Sequence, residues 1–514
     1  MTGSVVFRFD AGPQLGGGHA MRCLGLANAL RERGVSTTYA VKQSTLDTLP
    51  ALARDKNEIL VLEPSEGLES ISMNGRAKAD WLVVDRPDGE LGETDCAGNM
   101  RQVSDGLAEI SDSPNKHHDC DVLIDTTAGR EAREYSGLVP GECKILTGPA
   151  YALLRPSFAA LRRRSIKMKK EFRARPKILI GFGATDPHST TMTALDAVEQ
   201  AAPGAEVDII LGSSAPCLDE IRTRAAASRL AVSLHVDTTE VAHLMAQADF
   251  AIGAAGITSW ERCCLGLPTI IITQADNQLP NAASLKRSGA AEVLGASDAV
   301  SVGEIVESIN RMLTDMKYRH RMVEAAAVMC DGLGARRVAR VLFPEHARDK
   351  VPVTLRPATL DDLDILFDWQ SHPDTRRYFR TQEAPSRRTH ENWLSAKLVD
   401  PDCVLGIVEY GGIPAGVLRF DFVEEAGLSH PCDRDPDIEM YEVSILVAPD
   451  RWRLGIGAAA LRLGRELLPF ATFRAAVAAE NVASQRLFTE SGFHLDGSEY
   501  LLHGKPAVEP AAAF

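Results

Sequence analysis

The chain has 514 residues, 45% of them hydrophobic and 25% charged, with a formal net charge of −14. This length predicts three or four domains, and no apolar run reaches the ~18 residues of a membrane span. The first residues lack a signal-peptide core, so we expect a cytoplasmic protein. The negative charge argues against binding to nucleic acid or to an anionic membrane. Ten cysteines without a CxxC pair indicate neither a disulfide framework nor a zinc site, and we expect no metal.

The first predicted elements are a strand, a glycine-rich loop and a helix, within FRFDAGPQLGGGHAMRCLGL at residues 7–26. An apolar run precedes Asp10, and apolar residues then recur at helical spacing until Gly34. The loop glycines are Gly16, Gly17 and Gly18. They let backbone N–H groups approach a ligand, and the following helix N-terminus favours a phosphate or an oxyanion. The same spacing is also typical of a tight structural turn.

His19 follows these glycines directly. An imidazole can accept a proton at neutral pH, and glycines leave little side-chain bulk to cover it. A single histidine is nevertheless more often structural than catalytic. The segment therefore indicates either an anion site with an acid or base, or a structural turn.

Strand-like and helical stretches alternate up to about residue 345. The apolar, strand-like runs lie at residues 81–85, 122–125, 178–182, 207–211 and 269–272. This alternation predicts an α/β fold with parallel sheets covered by helices. A basic stretch at 161–175 separates two halves, so we predict domains at residues 1–160 and 175–345.

A different pattern begins after the charged stretch 345–351, which we interpret as a linker. Strands are expected at 404–410, 415–422 and 439–447, before a helix, a strand and a second helix. VSILVAPDRWRLGIGAAALRLG, at 443–464, again joins a strand to a glycine loop and a helix. We predict a third domain, of α+β type, at residues 352–505.

The amino-terminal part resembles the UDP-sugar hydrolases of pseudaminic acid biosynthesis. Their pattern of Asp, a GxGH loop and Arg-Cys is matched by Asp10, Gly16, Gly18, His19, Arg22 and Cys23. Further matching segments are HDCDVLID at 118–125, GPAYALLRPSF at 148–158, ILIGFGATDP at 178–187, AAGITSWERCCLGLP at 254–268 and ADNQ at 275–278. The resemblance covers about the first 340 residues and implies two Rossmann-like domains in a GT-B-like arrangement.

The resemblance also implies a reaction, the hydrolysis of the bond between the anomeric carbon of a sugar and UDP. His19 would orient or deprotonate the water, and Asn277 would lie near the sugar or that water. Asp10 would orient His19 or bind sugar hydroxyls, although a strand-end carboxylate can equally cap a turn. The residues expected to bind the UDP-sugar are Gly16, Gly17, Gly18, Arg22, Gly256, Ile257, Thr258, Glu261 and Gln278.

Two of these expectations concern the helix after Gly256. Thr258 or Ser259 would cap the helix, whose free amides would bind the diphosphate. Glu261 would accept hydrogen bonds from ribose hydroxyls. Its alternative interpretation is a first-turn carboxylate favoured by the helix dipole.

The chain departs from the hydrolase pattern at two places. Relatives carry Asp, any residue and Tyr after the third strand, where this chain has Asp85, Arg86 and Pro87. The paired aspartates of the next strand are replaced by Ser111 and Asp112. These changes indicate a different UDP-sugar, a compensating group or reduced hydrolase activity.

The carboxyl-terminal domain resembles the GNAT N-acetyltransferases, in which a glycine loop before a helix binds the pyrophosphate of coenzyme A. The residues that this resemblance assigns to acetyl-CoA are Val447, Arg451, Arg453, Leu454, Gly455, Ile456, Gly457, Asn481 and Ser484. Trp452 replaces the usual Gln or Arg, so the flanking arginines would supply the charge. Phe488 stands where many relatives have a tyrosine that acts as general acid, so water, Tyr500 or no acid at all would serve.

Glu442 lies in the strand before this loop, where related enzymes hold a carboxylate that removes a proton from the acceptor ammonium. A solvated carboxylate is the alternative. The segment 376–409 resembles the acetyltransferases of the same sugar pathway, and its arginines would meet a nucleotide diphosphate or form an exposed charged face.

Together, the two resemblances imply a bifunctional enzyme of pseudaminic or another nonulosonic acid pathway. It would acetylate the 4-amino group of a UDP-4-amino-4,6-dideoxy-N-acetyl-altrosamine-type sugar, with acetyl-CoA as co-substrate. It would then hydrolyse the UDP-2,4-diacetamido-2,4,6-trideoxy product to free sugar and UDP. The alternatives are a GT-B glycosyltransferase, or a non-catalytic sugar-nucleotide binding module, fused to an N-acetyltransferase. Beyond UDP-sugar and acetyl-CoA, other enzymes of the pathway are candidate partners.

Overall fold

The computed structural model describes residues 3–12, 17–54, 57–62, 78–85, 97–171, 173–379, 381–423 and 439–504. The chain divides into two compact units whose boundary in sequence lies between Ala335 and Arg336. The first unit contains two parallel sheets, and the second contains one mixed sheet. No described helix is long and apolar enough to cross a membrane.

The first sheet has seven parallel strands, in the order β3-β2-β1-β4-β5-β6-β7. They are β1 (Ser4–Phe9), β2 (Ser36–Lys42), β3 (Glu58–Leu62), β4 (Ala79–Asp85), β5 (Ser104–Ile110), β6 (Val122–Asp125) and β7 (Lys144–Thr147). The accompanying helices are α1 (Gly18–Glu32), α2 (Gln43–Thr48), α3 (Ala97–Val103) and α4 (Pro156–Lys169). The central strands are buried on both faces, which is why they are almost continuously apolar.

The second sheet has six parallel strands, in the order β10-β9-β8-β11-β12-β13. They are β8 (Lys177–Gly181), β9 (Glu206–Leu211), β10 (Ala231–Val236), β11 (Phe250–Gly253), β12 (Thr269–Thr273) and β13 (Glu292–Ala296). Its helices are α5 (Thr190–Ala201), α6 (Leu218–Ala226), α7 (Val241–Gln247), α8 (Thr258–Cys264), α9 (Leu279–Ser288), α10 (Val302–Thr314) and α11 (Met316–Met329). Strands such as β8, β11 and β12 pack isoleucines into the core beneath α5 and α10.

In both parallel sheets the chain first adds strands on one side of the first strand and then continues on its other side. In the first sheet, β2 and β3 lie on one side of β1 and β4 lies on the other. In the second sheet, β8 is followed by β9 on one side and β11 on the other. In open α/β sheets ligands bind beside the carboxyl ends of the strands at such a topological switch point. The fold therefore directs attention to the loops after β1, β4, β8 and β11.

The second unit contains a mixed sheet of eight strands, in the order β14-β15-β16-β17-β18-β19-β21-β20. They are β14 (Glu345–His346), β15 (Pro352–Pro357), β16 (Cys403–Tyr410), β17 (Ile413–Phe422), β18 (Met440–Val447), β19 (Thr472–Ala476), β20 (His494–Asp496) and β21 (Glu499–Leu502). The helices from the unit boundary onward are α12 (Gly334–Leu342), α13 (Leu363–Ser371), α14 (Pro373–Arg376), α15 (Arg387–Leu398), α16 (Ile456–Leu467) and α17 (Val482–Glu490). Short 3-10 turns across the chain are Pro50–Arg54, Ala132–Tyr135, Pro149–Tyr151, Asp276–Gln278, Leu360–Asp362 and Pro449–Arg451.

The strands predicted from the sequence all form, within two residues of the expected bounds. Two parallel, Rossmann-like α/β sheets followed by a mixed α+β sheet confirm the predicted fold class. The segment that we interpreted as a linker contains β14, which pairs antiparallel with β15. The residue limits of the three domains stay predictions.

Candidate functional site

The side chain of His19 is hydrogen-bonded to a buried carboxylate, that of Asp85. His19 is the second residue of α1, and Asp85 ends β4, the neighbour of β1 at the switch point. Nδ1 of His19 lies 2.6 Å from Oδ1 of Asp85, whose side chain is fully buried while that of His19 is 21% exposed. An ionised carboxylate only accepts hydrogen bonds, so a proton on Nδ1 faces Asp85, and in the neutral imidazole the lone pair is on Nε2. This arrangement gives the imidazole a fixed orientation and a free basic nitrogen.

Arg22 completes this buried group one helical turn after His19. Its Nε and Nη2 both donate to Asp85, with Nη2 2.5 Å from Oδ1. Burial alone would raise the pKa of Asp85, but the charge of Arg22 and the hydrogen bonds from Arg22 and His19 outweigh it and hold that pKa below its usual range. Asp85 therefore stays ionised at neutral pH. Because the guanidinium is committed to Asp85, the role of Arg22 as a UDP-sugar ligand stays a prediction.

Asp10 does not orient His19, which corrects one of the two roles expected from the sequence. Its carboxylate is paired with Arg8 through two hydrogen bonds of 2.8 and 2.9 Å, and Lys42 lies 3.6 Å away. Burial tends to raise the pKa of Asp10, but Arg8 and Lys42 together hold it below its usual range. His19 is oriented by Asp85 instead, because β4 is the neighbour of β1 in the sheet and its last residue, Asp85, reaches the start of α1. Sugar binding by Asp10 stays a prediction.

The glycine loop of the first sheet meets the second sheet. Gly17 precedes α1, and its carbonyl accepts the N–H of Met21. A Cβ atom added at Gly18 would lie 2.8 Å from Cδ1 of Ile257, which follows β11. The loops at the two switch points are therefore in contact, with His19 beside them. Gly16 lies outside the described residues.

The loop at 254–257 is fastened by an amide side chain. Oε1 of Gln278 accepts hydrogen bonds from the backbone N–H groups of Ala255 and Gln274, at 3.2 and 3.1 Å. Gly256 lies against the same side chain, with a notional Cβ 4.0 Å from Nε2 of Gln278. Gln278, which the sequence predicts as a UDP-sugar ligand, thus has a clear positioning role for this loop.

The predicted cap of α8 by Thr258 or Ser259 is wrong. The helix begins at Thr258, its N-cap residue is Ile257, and no side chain caps it. The hydroxyl of Ser259 instead donates to the carbonyl of Ala254 and accepts from Arg262. An aliphatic residue at the N-cap leaves helix amides without a side-chain acceptor, which is compatible with a ligand at this end.

Glu261 is buried one turn into α8, next to Arg155, the residue that precedes α4. Burial raises its pKa, while Arg155, 3.8 Å away, and Arg262 oppose this shift. Arg155 was not expected from the sequence. Asn277 lies in the turn Asp276–Gln278 and is exposed. The roles of Glu261 and Asn277 toward a ligand stay predictions.

Of the two departures from the hydrolase pattern, the structure describes only the second, at Ser111 and Asp112. Pro87 and Arg86 lie outside the described residues. Ser111 is buried, and its hydroxyl accepts the N–H of Ser113 at 3.3 Å, while Asp112 is exposed. Asp85 itself, which the sequence placed in this pattern without a role, is the partner of His19.

The second unit contains the other predicted loop, between β18 and α16. Gly455 is the N-cap of α16 and has φ +87°, a conformation that favours glycine. Its neighbour Arg453 also has a positive φ, of 67°. The carbonyl of Leu454 accepts the N–H of Arg348 at 2.9 Å. A Cβ on Gly455 would lie 2.8 Å from Cγ of Arg348, so Arg348 lies against this loop, a contact that sequence reasoning missed.

Other predicted coenzyme ligands surround the same loop. The carbonyl of Val447 accepts the indole N–H of Trp452 at 2.8 Å. The guanidinium of Arg451 lies 5.8 Å from the ring centre of Tyr410. Ile456 and Gly457 are the first two residues of α16 and are buried.

The helix α17 lies close to α16, since a Cβ on Gly457 would be 3.2 Å from Leu487. Asn481 caps α17, and its Oδ1 accepts the N–H of Ser484 at 3.1 Å. Phe488 is buried, with its ring 6.1 Å from that of Tyr500. The structure thus gives Asn481 a capping role, and contacts of Asn481 and Ser484 with coenzyme A stay predictions.

Glu442 is the third residue of β18 and pairs with a basic residue of β19. Nη2 of Arg474 lies 3.2 Å from its Oε2, and the side chain of Glu442 is 26% exposed. The strands β18 and β19 run parallel only from Met440 to Glu442 on the β18 side. Glu442 therefore lies where the two strands separate.

A cavity of about 510 Å³ lies in the second unit between α15 and the strands β16 to β18. Its wall includes Arg376, His390, Trp393, Arg419, Ser444 and Leu446. The rings of His390 and Trp393 stack at 5.3 Å, and the guanidinium of Arg419 lies 5.5 Å from the ring centre of Trp393. The sequence signal for this site is the spacing of three between His390 and Trp393, which places both on one face of α15.

His390 has unusual surroundings within this cavity wall. Its side chain is buried, and Nε2 has no hydrogen-bond partner among the described residues. Burial lowers its pKa, and the charge of Arg387 acts in the same direction. A neutral imidazole, an indole and two guanidinium groups suit a ligand that combines a planar ring with negative charge.

Comparison with known proteins assigns the class of the second unit. Residues 353–494 match the family model of the acetyltransferase (GNAT) domain. The chain therefore carries a GNAT domain, as the sequence predicted, and this domain supports binding of acetyl-CoA.

The amino-terminal part resembles proteins of carbohydrate biosynthesis. The Bacillus subtilis spore coat polysaccharide biosynthesis protein SpsG is 26% identical over 340 residues, 65% of this chain and 96% of that protein. The Campylobacter jejuni UDP-2,4-diacetamido-2,4,6-trideoxy-beta-L-altropyranose hydrolase is 25% identical over 286 residues, 55% of this chain and 97% of that protein. The crystal structure of Acinetobacter baumannii MurG has a TM-score of 0.45 and 15% identity, and covers 66% of this chain and 99% of its own. The chain is thus a fusion of an amino-terminal part that resembles SpsG and the Campylobacter hydrolase with a GNAT domain.

Proposed function

We propose that the protein is a bifunctional enzyme that acts on one UDP-linked amino sugar at two sites. The GNAT domain transfers acetyl from acetyl-CoA to the 4-amino group of a UDP-4-amino-4,6-dideoxy-N-acetyl-altrosamine-type sugar. The first unit hydrolyses the UDP-2,4-diacetamido-2,4,6-trideoxy product to free sugar and UDP. The similarity to the Campylobacter hydrolase and the GNAT domain on the same chain support this pairing.

The observation that carries the hydrolase proposal is the His19–Asp85 pair at the meeting point of two switch-point loops. Nε2 of His19 takes a proton from the attacking water, while Asp85 stabilises the imidazolium that forms. The diphosphate leaves toward the backbone amides around Gly18 and Ile257. Helix N-termini and oriented amides favour that developing negative charge.

The acetyl-transfer proposal rests on two neighbouring features of the second unit. The loop at Gly455 receives the pyrophosphate of acetyl-CoA, as its positive φ and its place before α16 favour. The cavity with Trp393 and Arg419 receives the sugar nucleotide, since Trp393 offers a ring for stacking and Arg376 and Arg419 offer charge to the diphosphate. Glu442 accepts the ammonium proton before the amine attacks the thioester.

A coupled assay tests the proposal directly. The purified full-length protein is incubated with the UDP-4-amino sugar and acetyl-CoA, and free thiol and free UDP are followed in the same sample. We expect thiol to appear first, and UDP to appear only when acetyl-CoA is present. UDP release in the absence of a sugar acceptor also separates hydrolysis from glycosyl transfer.

The variant His19→Ala separates the two sites. We expect it to lose UDP release while thiol release continues at the rate of the unsubstituted protein. Thiol release without UDP in the unsubstituted protein would overturn the hydrolase half. That result would favour the alternative in which the first unit is a sugar-nucleotide binding module. Tight binding of the diacetamido UDP-sugar without turnover would then establish this alternative.

A further inference from the structure

A pair of thiols lies beside β6 and β7, the last two strands at one edge of the first sheet. His19 instead follows β1, in the middle of that sheet. Cys120 precedes β6 and Cys143 precedes β7, and these strands are parallel neighbours. Their Sγ atoms are 3.8 Å apart. Cys120 is fully buried, whereas Cys143 is partly exposed.

The backbone spacing at this point suits a disulfide. Lys144 donates its N–H to the carbonyl of Asp121, so the strand ladder continues up to the two cysteines. Adjacent strands lie ~4.8 Å apart and successive residues rise ~3.3 Å, which puts the two Cα atoms roughly 6 Å apart. Disulfides span Cα separations of about 4.4 to 6.8 Å, and the sulfurs need to approach by roughly 1.8 Å. The distance of 3.8 Å between the sulfurs shows that the two side chains already turn toward each other.

The two thiols differ in the way that a reactive pair requires. The hydrogen bond with Cys120 lowers the pKa of Cys143, and the N–H of Leu123 and the nearby His118 act in the same direction, against burial and the charge of Asp121. The same contact, with burial, raises the pKa of Cys120 above its ordinary value. Since the thiolate is the nucleophile, the partly exposed Cys143 reacts first and the buried Cys120 follows.

We propose that Cys120 and Cys143 are a modification site at which a low-molecular-weight disulfide oxidises the pair to a reversible intramolecular disulfide. The Cys143 thiolate attacks one sulfur of the small disulfide and expels one thiolate, forming a mixed disulfide. Cys120 then gives up its proton and attacks the sulfur of Cys143, which expels the second thiolate. Two protein thiols and one small disulfide thus become one protein disulfide and two small thiols. This inference is independent of the proposed function.

The bond would join β6 to β7 at their amino ends and close a loop between positions 23 residues apart. Asp125 and the other carboxyl-end residues lie at the opposite ends of these strands. A crosslink of this kind restricts the unfolded chain and so stabilises the folded one. We therefore expect oxidation to raise the thermal midpoint of the protein by several degrees and to leave the carboxyl-end sites intact.

Peptide mapping of the full-length protein tests the proposal. The protein is treated with oxidised glutathione, alkylated and digested with trypsin, which places the two cysteines in the separate peptides 117–130 and 134–144. We expect these two peptides to be recovered as one crosslinked species, to separate after reduction, and to lose two alkylation sites. Alkylation of both cysteines after oxidation, a stable glutathione adduct on Cys143, or a crosslink to another cysteine would each overturn the proposal.

Single substitutions define the order of the reaction. Cys120→Ser is expected to keep glutathione on Cys143, and Cys143→Ser is expected to leave Cys120 unmodified. Cys403→Ser is the matched control, because Cys403 is also partly exposed but burial raises its pKa to about 12. The crosslink and the rise in thermal midpoint should persist in that control. Their loss there would contradict the assignment.

Discussion

Oδ1 of Asp85 lies 2.6 Å from Nδ1 of His19, and the same carboxylate is paired with Arg22. A charged, fully buried carboxylate thus fixes which imidazole nitrogen carries the proton. Because the guanidinium lowers the pKa of Asp85 and keeps it ionised, the carboxylate accepts from Nδ1 and leaves Nε2 of His19 as the nitrogen that can take up a proton. The two residues form a base and its orienting partner.

Replacement of this carboxylate by an amide tests the pair. We expect Asp85→Asn to lower kcat for UDP release by about 10²- to 10⁴-fold, because the amide no longer selects the required tautomer. KM for the UDP-sugar should change little, since Asp85 is buried beneath the imidazole. Steady-state measurement of UDP release gives both constants, and acetyl transfer in the same samples should stay unchanged.

The control for this substitution is Asp125→Asn. Asp125 also ends a strand of the first sheet, is fully buried, and is bound by Arg130 and Tyr135, but among the described residues no histidine is hydrogen-bonded to it. Both variants disturb a buried ion pair, so similar losses of stability are expected from both. An equal fall of UDP release in both variants would show that Asp85 has only a structural role.

The strands of the two parallel sheets were predictable because they are short, almost continuously apolar runs that alternate with helical stretches. The partnership of His19 and Asp85 was not predictable, because 66 residues separate them and the order of strands in a sheet is not written in local spacing. The position of Arg22 beside His19 was easier to predict, since the two residues are three apart on one helix. The cap of α8 was mispredicted because the helix begins earlier than the hydroxyl residues suggested, so that Thr258 is already its first residue.

Trp393 gives a test of the proposed acceptor cavity. Trp393→Leu should raise KM for the UDP-amino sugar about 2- to 10-fold, because an aromatic stacking contact contributes about 0.5 to 1.5 kcal/mol. KM for acetyl-CoA should stay the same. Leu398→Ala is the control, since Leu398 belongs to the same helix and packs on the same core but does not line the cavity. An equal rise in both variants would attribute the effect to packing.

Glu442 is the proposed base of acetyl transfer, and Arg474 offers a matched comparison. Arg474 lies between Glu442 at 3.2 Å and Glu499 at 4.0 Å. Glu442→Gln should lower kcat for thiol release by about 10²-fold or more, since general-base catalysis supplies about that factor. Glu499→Gln changes the same arginine and should leave kcat nearly unchanged. Full activity in Glu442→Gln would show that Glu442 is not the base and serves only as the ion-pair partner of Arg474.

Gly455 tests the coenzyme loop through its backbone. Gly455→Ala forces an alanine into φ +87° and brings its Cβ to 2.8 Å from Arg348, so the loop must change shape. We expect KM for acetyl-CoA to rise about tenfold or more, since 1.4 kcal/mol of lost phosphate binding corresponds to tenfold.

Gly412→Ala separates this effect from backbone strain. Gly412 has φ +81° with nothing within 4 Å of a notional Cβ, in the turn between β16 and β17. Both substitutions should cost about 1 kcal/mol of unfolding free energy, measured in denaturant. Although the nearby Tyr410 faces Arg451 of the coenzyme loop, Gly412 itself has open space around it, so its variant should keep the KM of the unsubstituted protein. A tenfold rise in both would mean that strain in the second unit, and not the shape of the Gly455 loop, sets the affinity for the coenzyme.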